Sequence, residues 1–141
     1  MDREERGYVF LSHLLTAIPL WGILFNGVMW ISFKEKSRQV VYHAQQGIFF
    51  QVLFLAAILV GLVAFLFTQV VGVINGPLAA LLSLVNWIII VLVCIVYEFI
   101  CFMGMAAAVN GKEFDYPFVS QKLREVKHTG SSSSLQPEEE E

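Results

Sequence analysis

Few residues in this chain carry reactive chemistry, and most of those sit in apolar surroundings. Glu98 stands out, because it is the one charge between Leu78 and Val109. On insertion scales an Asp near the centre of a membrane helix costs at least about 2.5 kcal/mol, and a Glu is comparable, so its presence asks for a reason. Counting back from Asn110 at about 1.5 Å per residue puts Glu98 roughly 15–18 Å inside the apolar stretch. One reading is a proton or cation site. The other is a protonated carboxylic acid hydrogen-bonded to a neighbouring helix through Gln51, Asn86 or His13. A single carboxyl with no second one is a poor ion pathway, which favours the second reading.

Cys94, Glu98, Cys101 and Met105 fall at i, i+4, i+7 and i+11, one stripe of a helix. With His13 or His43 added, such a stripe could ligate zinc or iron. Cys and Met are ordinary packing residues in apolar helices, however, and no compact ligand pair is present, so no metal or cofactor is expected. On one helix the two cysteines are about 10 Å apart, beyond disulfide reach. His43, Gln45 and Gln46 could line a polar vestibule, or they could satisfy backbone groups at a bend and touch headgroups. Ser12 and His13 are adjacent and so point about 100° apart on a helix, which is wrong for Ser–His catalysis. There is no glycine-rich phosphate loop and no nucleic-acid patch. The sequence reads as a protein that is not an enzyme.

The elements that must hold these residues are written in the composition. The chain has 141 residues, of which 57% are apolar or aromatic and only 15% charged, against about 45–50% and roughly 25% in a soluble domain. This predicts an all-α integral membrane protein, a small bundle of three or four transmembrane or membrane-embedded helices with an interfacial amphipathic helix. A polar N-terminus (residues 1–7) precedes a helical membrane domain (8–118). Its first segment, 8–33, is broken by Pro19, Gly22, Asn26 and Gly27. It is either one kinked span or a hairpin of two short helices, about Tyr8 to Ile18 and Gly27 to Phe33. Residues 34–46, with Lys34, Lys36 and Arg38, suit a helix lying in the headgroups. Two spans follow, 47–75 and 78–109, joined by the turn residues Asn75-Gly76-Pro77. Small residues at Ala57 and Gly61, and at Gly104 and Ala108, suit close helix packing within the bundle. Asn110-Gly111 reads as a helix stop and Tyr116-Pro117 as an interfacial anchor. Residues 119–141 are a basic segment with Lys122, Arg124 and Lys127, then a Ser/Glu tail that cannot bury enough surface to order itself.

Basic residues set the expected orientation. Three lie between Lys34 and Arg38 and four after Asn110, while the turn from Val70 to Ala80 has none. The first two regions, the C-terminus included, are therefore expected in the cytoplasm. The hairpin keeps Arg3 and Arg6 on that side as well and is the preferred reading of the first segment.

Several short motifs follow one another along the chain. They are Leu11-Ser12-His13-Leu14, Ile18-Pro19, Trp30-Ile31 with the exit Lys34 to Ser37, Tyr42 to Gly47 leading to Phe50-Gln51, Ala106 to Gly111, and Tyr116-Pro117. Their order and spacing resemble the small bacterial membrane proteins similar to the channel-like subunit of the chloroplast inner-envelope import translocon, a group that includes magnetosome-membrane proteins. The resemblance implies a compact helical membrane domain with both termini in the cytoplasm or stroma. It does not transfer an activity, and Glu98 and the Ser/Glu tail depart from its pattern. The expected function is a non-enzymatic inner-membrane scaffold or translocon-like component, with a small proton, ion or metal carrier centred on Glu98 as the alternative. Its expected partners are the lipid bilayer and other membrane proteins or further copies of the chain, with no nucleic acid.

Overall fold

The computed structural model describes residues 3–116 and 119. The described residues form four helices: α1 (Arg3–Thr16), α2 (Trp21–Phe33), α3 (Arg38–Ile74) and α4 (Gly76–Val109). Lys122, Arg124, Lys127 and the Ser/Glu tail lie outside them.

The first segment is a hairpin. The rings of Tyr8 and Phe33, at its two ends, lie 4.5 Å apart, and Ser12 Oγ donates to Asn26 Oδ1 across it at 2.8 Å. Pro19 ends α1, as its ring predicts, and the reversal is tight. Leu20 has φ 68° and ψ −57°, and Trp21 N–H donates to Pro19 O at 2.9 Å; this is the rare and strained classic γ-turn. Both helices differ from their expected bounds. α1 begins at Arg3, where Glu4 and Glu5 in the first turn complement the positive end of the helix dipole. α2 begins directly after the γ-turn, so Asn26 and Gly27 lie inside a helix rather than in a break.

Residues 34–46 are not a helix of their own. Lys34 to Lys36 form a turn, and Arg38 to Gln46 are the first turns of the unbroken α3. Ser37 caps this helix, its Oγ accepting from Val40 N–H at 3.3 Å and donating to Glu5 Oε1 at 2.8 Å. The backbone ladder runs unbroken through Gln46 and Gly47, and Val40, Ala44 and Gly47 all face the core. Asn75 is the single residue between α3 and α4. Its N–H closes α3 on Val71 O, and its side chain accepts from Leu78 N–H at 3.2 Å.

α3 and α4 are each long and apolar enough to cross a membrane. At about 1.5 Å per residue their 37 and 34 residues extend about 50 Å, beyond the roughly 30 Å hydrocarbon layer. The α1–α2 hairpin packs on one half of this pair. Of the two long helices, α1 touches both and α2 touches α3 alone. Among the described residues the remaining halves of α3 and α4 meet only each other, with Gly61 against Ile90 and Thr68 bonded to Ser83 at 3.0 Å.

Candidate functional site

α1 is built with its polar side inward. Val9, Ser12, His13 and Thr16, at i, i+3, i+4 and i+7, are completely buried, whereas Tyr8, Leu11 and Leu14 are exposed. That inversion suits a helix in lipid, where the polar groups must find partners inside the protein.

Three bonds knot the hairpin together besides the one from Ser12 to Asn26. Thr16 Oγ1 donates to Ser12 O at 2.8 Å, and Asn26 Nδ2 donates to Thr16 Oγ1 at 3.0 Å and more weakly to Ser12 O. Gly47 lets α3 press on this knot, because a Cβ there would stand 2.4 Å from Thr16 Oγ1.

The C-terminus of α1 is buried, so its last carbonyls need donors other than water. Gln51 supplies them. Its Nε2 donates to Thr16 O at 2.8 Å and Ile18 O at 2.9 Å, with a longer approach to Leu15 O. Tyr97 Oη also donates to Thr16 O. Gln51 and Tyr97 each lie 13 residues from the near end of the apolar pair, at Arg38 and Asn110, a depth of about 20 Å that matches the length of α1.

Towards the basic end, His13 rests on the backbone of Gly104, where a Cβ would stand 2.7 Å from Nδ1. Its Nδ1 shares a 2.7 Å hydrogen bond with Tyr116 Oη, and the His43 ring lies 5.2 Å away, edge to face. Tyr116 belongs to a strap, residues 112–116, that follows α4 across one face of α3. Gln39 donates to Glu113 at 3.0 Å, Tyr42 and Gln46 each donate to Asp115 at 3.0 Å, and Phe50 stacks on Tyr116 at 4.5 Å. Burial raises the Tyr116 phenol well above its ordinary pKa, so it meets His13 as a neutral hydroxyl. Tyr116 is therefore not the interfacial anchor its setting in the sequence suggests; it is completely buried. Asn110 and Gly111 do stop α4, with Gly111 at φ 68°.

Of the six polar residues singled out by sequence, four gather here: His13, His43, Gln46 and Gln51. Asn86 lies apart, donating to Gly61 O at 3.2 Å in the far half of the pair. Glu98 is half-buried on α4 beside Tyr97 and bonds to none of its three expected partners; Gln51, Asn86 and His13 make their hydrogen bonds to other groups. The stripe divides: Cys101 and Met105 are buried, Cys94 and Glu98 half-buried. Among the described residues, no three His, Cys, Asp or Glu side chains gather as a metal site would require. Gly104 and Ala108 pack against α1, and Gly61 against α4, inside the bundle. Sequence reasoning missed Thr16, Asn26, Tyr97, Asp115 and Tyr116. Only Thr16 left a signal, as the fourth member of the α1 stripe with Val9, Ser12 and His13.

No curated protein and no solved structure matches the chain, and the likeness to the chloroplast translocon finds no support. One family does match, the magnetosome magnetite crystal formation protein family (MamF_MmsF), over residues 4–123. With most of its length covered and two helices fit to cross a bilayer, the chain is a membrane protein that belongs to this magnetosome family.

Proposed function

We propose that the protein is a non-enzymatic multi-pass scaffold of the membrane in which magnetite crystals form, acting through protein partners or further copies of itself. The observation that carries this reading is the set of hydrogen bonds that fasten the hairpin to itself and to the long pair. Ser12, Thr16 and Asn26 close the hairpin on itself, and Gln51 and Tyr97 tie it to the long pair, which leaves an apolar exterior. In this reading the basic turn 34–38, the strap and the C-terminus face the cytoplasm and Asn75 faces away, in keeping with the distribution of Lys and Arg. Purification in mild detergent with identification of associated chains tests it. A reproducible complex or homo-oligomer is expected; a lone monomer would count against the scaffold.

A second reading, a small proton, ion or metal carrier, draws on Glu98. This half-buried carboxyl has no hydrogen bond or ion pair among the described residues, although it lies deep along an apolar helix. Under this reading the protein in liposomes gives a pH-dependent flux that Glu98→Gln abolishes while the fold survives. Under the scaffold reading there is no such flux to lose.

A further inference from the structure

At the basic end of the molecule a cleft of about 490 Å³ opens between α2 and α3, lined by Ile23, Gly27, Trp30, Ile31, Lys34 and Ile48. We propose that it binds one anionic phospholipid, with an acyl chain in the apolar trough and the headgroup phosphate on the Lys34 ammonium. The inference needs the membrane but not the scaffold reading.

Two features fit the trough to a chain. Its walls are apolar apart from Lys34, and its volume is in the range of small-molecule clefts, about 300–1,000 Å³. Open space lies beside Gly27, because a Cβ built there meets nothing within 4 Å, whereas at Gly47 and Gly104 a Cβ would strike a neighbouring side chain.

The rim fits an anionic headgroup. Lys34 is exposed, and its stem can lie along the trough with the ammonium at headgroup level. Lys34, Lys36 and Arg38 make no ion pair among the described residues, and Glu35 is the one acid among them. Trp30 lies on the same wall, an amphipathic ring of the kind enriched at the membrane interface.

Quenching of Trp30 by brominated lipid reads this site directly. Trp21 and Trp87 are also exposed, so the measurement uses the full chain carrying Trp21→Phe and Trp87→Phe. The variants are compared in vesicles containing brominated phosphatidylglycerol or brominated phosphatidylcholine at equal mole fraction. The expected relative binding constant favours the anionic lipid by about fivefold, the scale of one lysine near an anionic surface. Lys34→Gln should erase that preference, Lys36→Gln should keep it, and Gly27→Leu should fill the trough and lower quenching by both lipids. Equal quenching by the two lipids in the parent would mean ordinary annular lipid and would overturn the proposal. So would a preference that survives Lys34→Gln, or quenching that Gly27→Leu leaves unchanged. Lys34 lies outside the core, so the charge arm decides even where Gly27→Leu fails to fold.

Discussion

Gln51 holds one of the most exacting positions in the molecule, since its amide meets the end of α1 where no water reaches. Gln51→Leu keeps the approximate volume but takes one donor from each of two carbonyls, leaving that of Ile18 with Gly22 N–H and that of Thr16 with Tyr97 alone. Each lost hydrogen bond is worth about 0.5–1.5 kcal/mol net, so losing the two short ones is expected to lower stability by about 1–3 kcal/mol in thermal unfolding of the detergent-solubilised protein. Tyr97→Phe should cost less, about 1 kcal/mol, because Thr16 O keeps Gln51. If Tyr97→Phe proved the more damaging, the assignment of the cap to Gln51 would be wrong. Gly104→Ala acts at the other end of α1. Its Cβ would push the His13 ring off its site and break the bond to Tyr116, at a cost of about 1–3 kcal/mol for overpacking.

The hairpin of α1 and α2 turns on a strained residue, and that strain can be relieved. Leu20 holds φ 68° with no glycine's freedom to do so, and sparsely populated backbone regions cost on the order of 1–3 kcal/mol. Its side chain is largely exposed, so Leu20→Gly sacrifices little packing. Leu20→Gly is therefore expected to unfold at a temperature equal to or above that of the parent, and Leu20→Val, β-branched at the same φ, clearly below it. The reverse order would mean that the γ-turn is not formed. Pro19 made this break legible in the sequence. Asn26-Gly27 gave a false break, because the Asn26 side chain finds Ser12 and Thr16 inside the bundle and so has no need of a turn. The interfacial helix failed as a separate element for a related reason. Its charges end at Arg38, and beyond them Val40, Ala44 and Gly47 continue one core-facing stripe into the long helix.

Across the whole molecule, apolar length and charge clusters made the membrane class and the long pair legible, but the buried junction was not. Its central bond joins His13 to Tyr116, 103 positions apart, and no local pattern reports a contact that only the return of α4 creates. The same geometry does predict topology. Because Tyr8 meets Phe33, and Glu5 meets Ser37, the hairpin enters and leaves at the end that carries Lys36. Asn75 closes the opposite end, about 50 Å along the helices, farther than a bilayer core is thick. Single cysteines at residues 3, 36 and 76, with Cys94 and Cys101 replaced by alanine, test this with an impermeant thiol reagent. Positions 3 and 36 should label from the same side and position 76 only from the other. A first segment that spans once would separate 3 from 36, and labelling of 36 and 76 from one side would mean that α3 does not cross. The positive charges further predict that 3 and 36 react only when the cytoplasmic face is opened to the reagent.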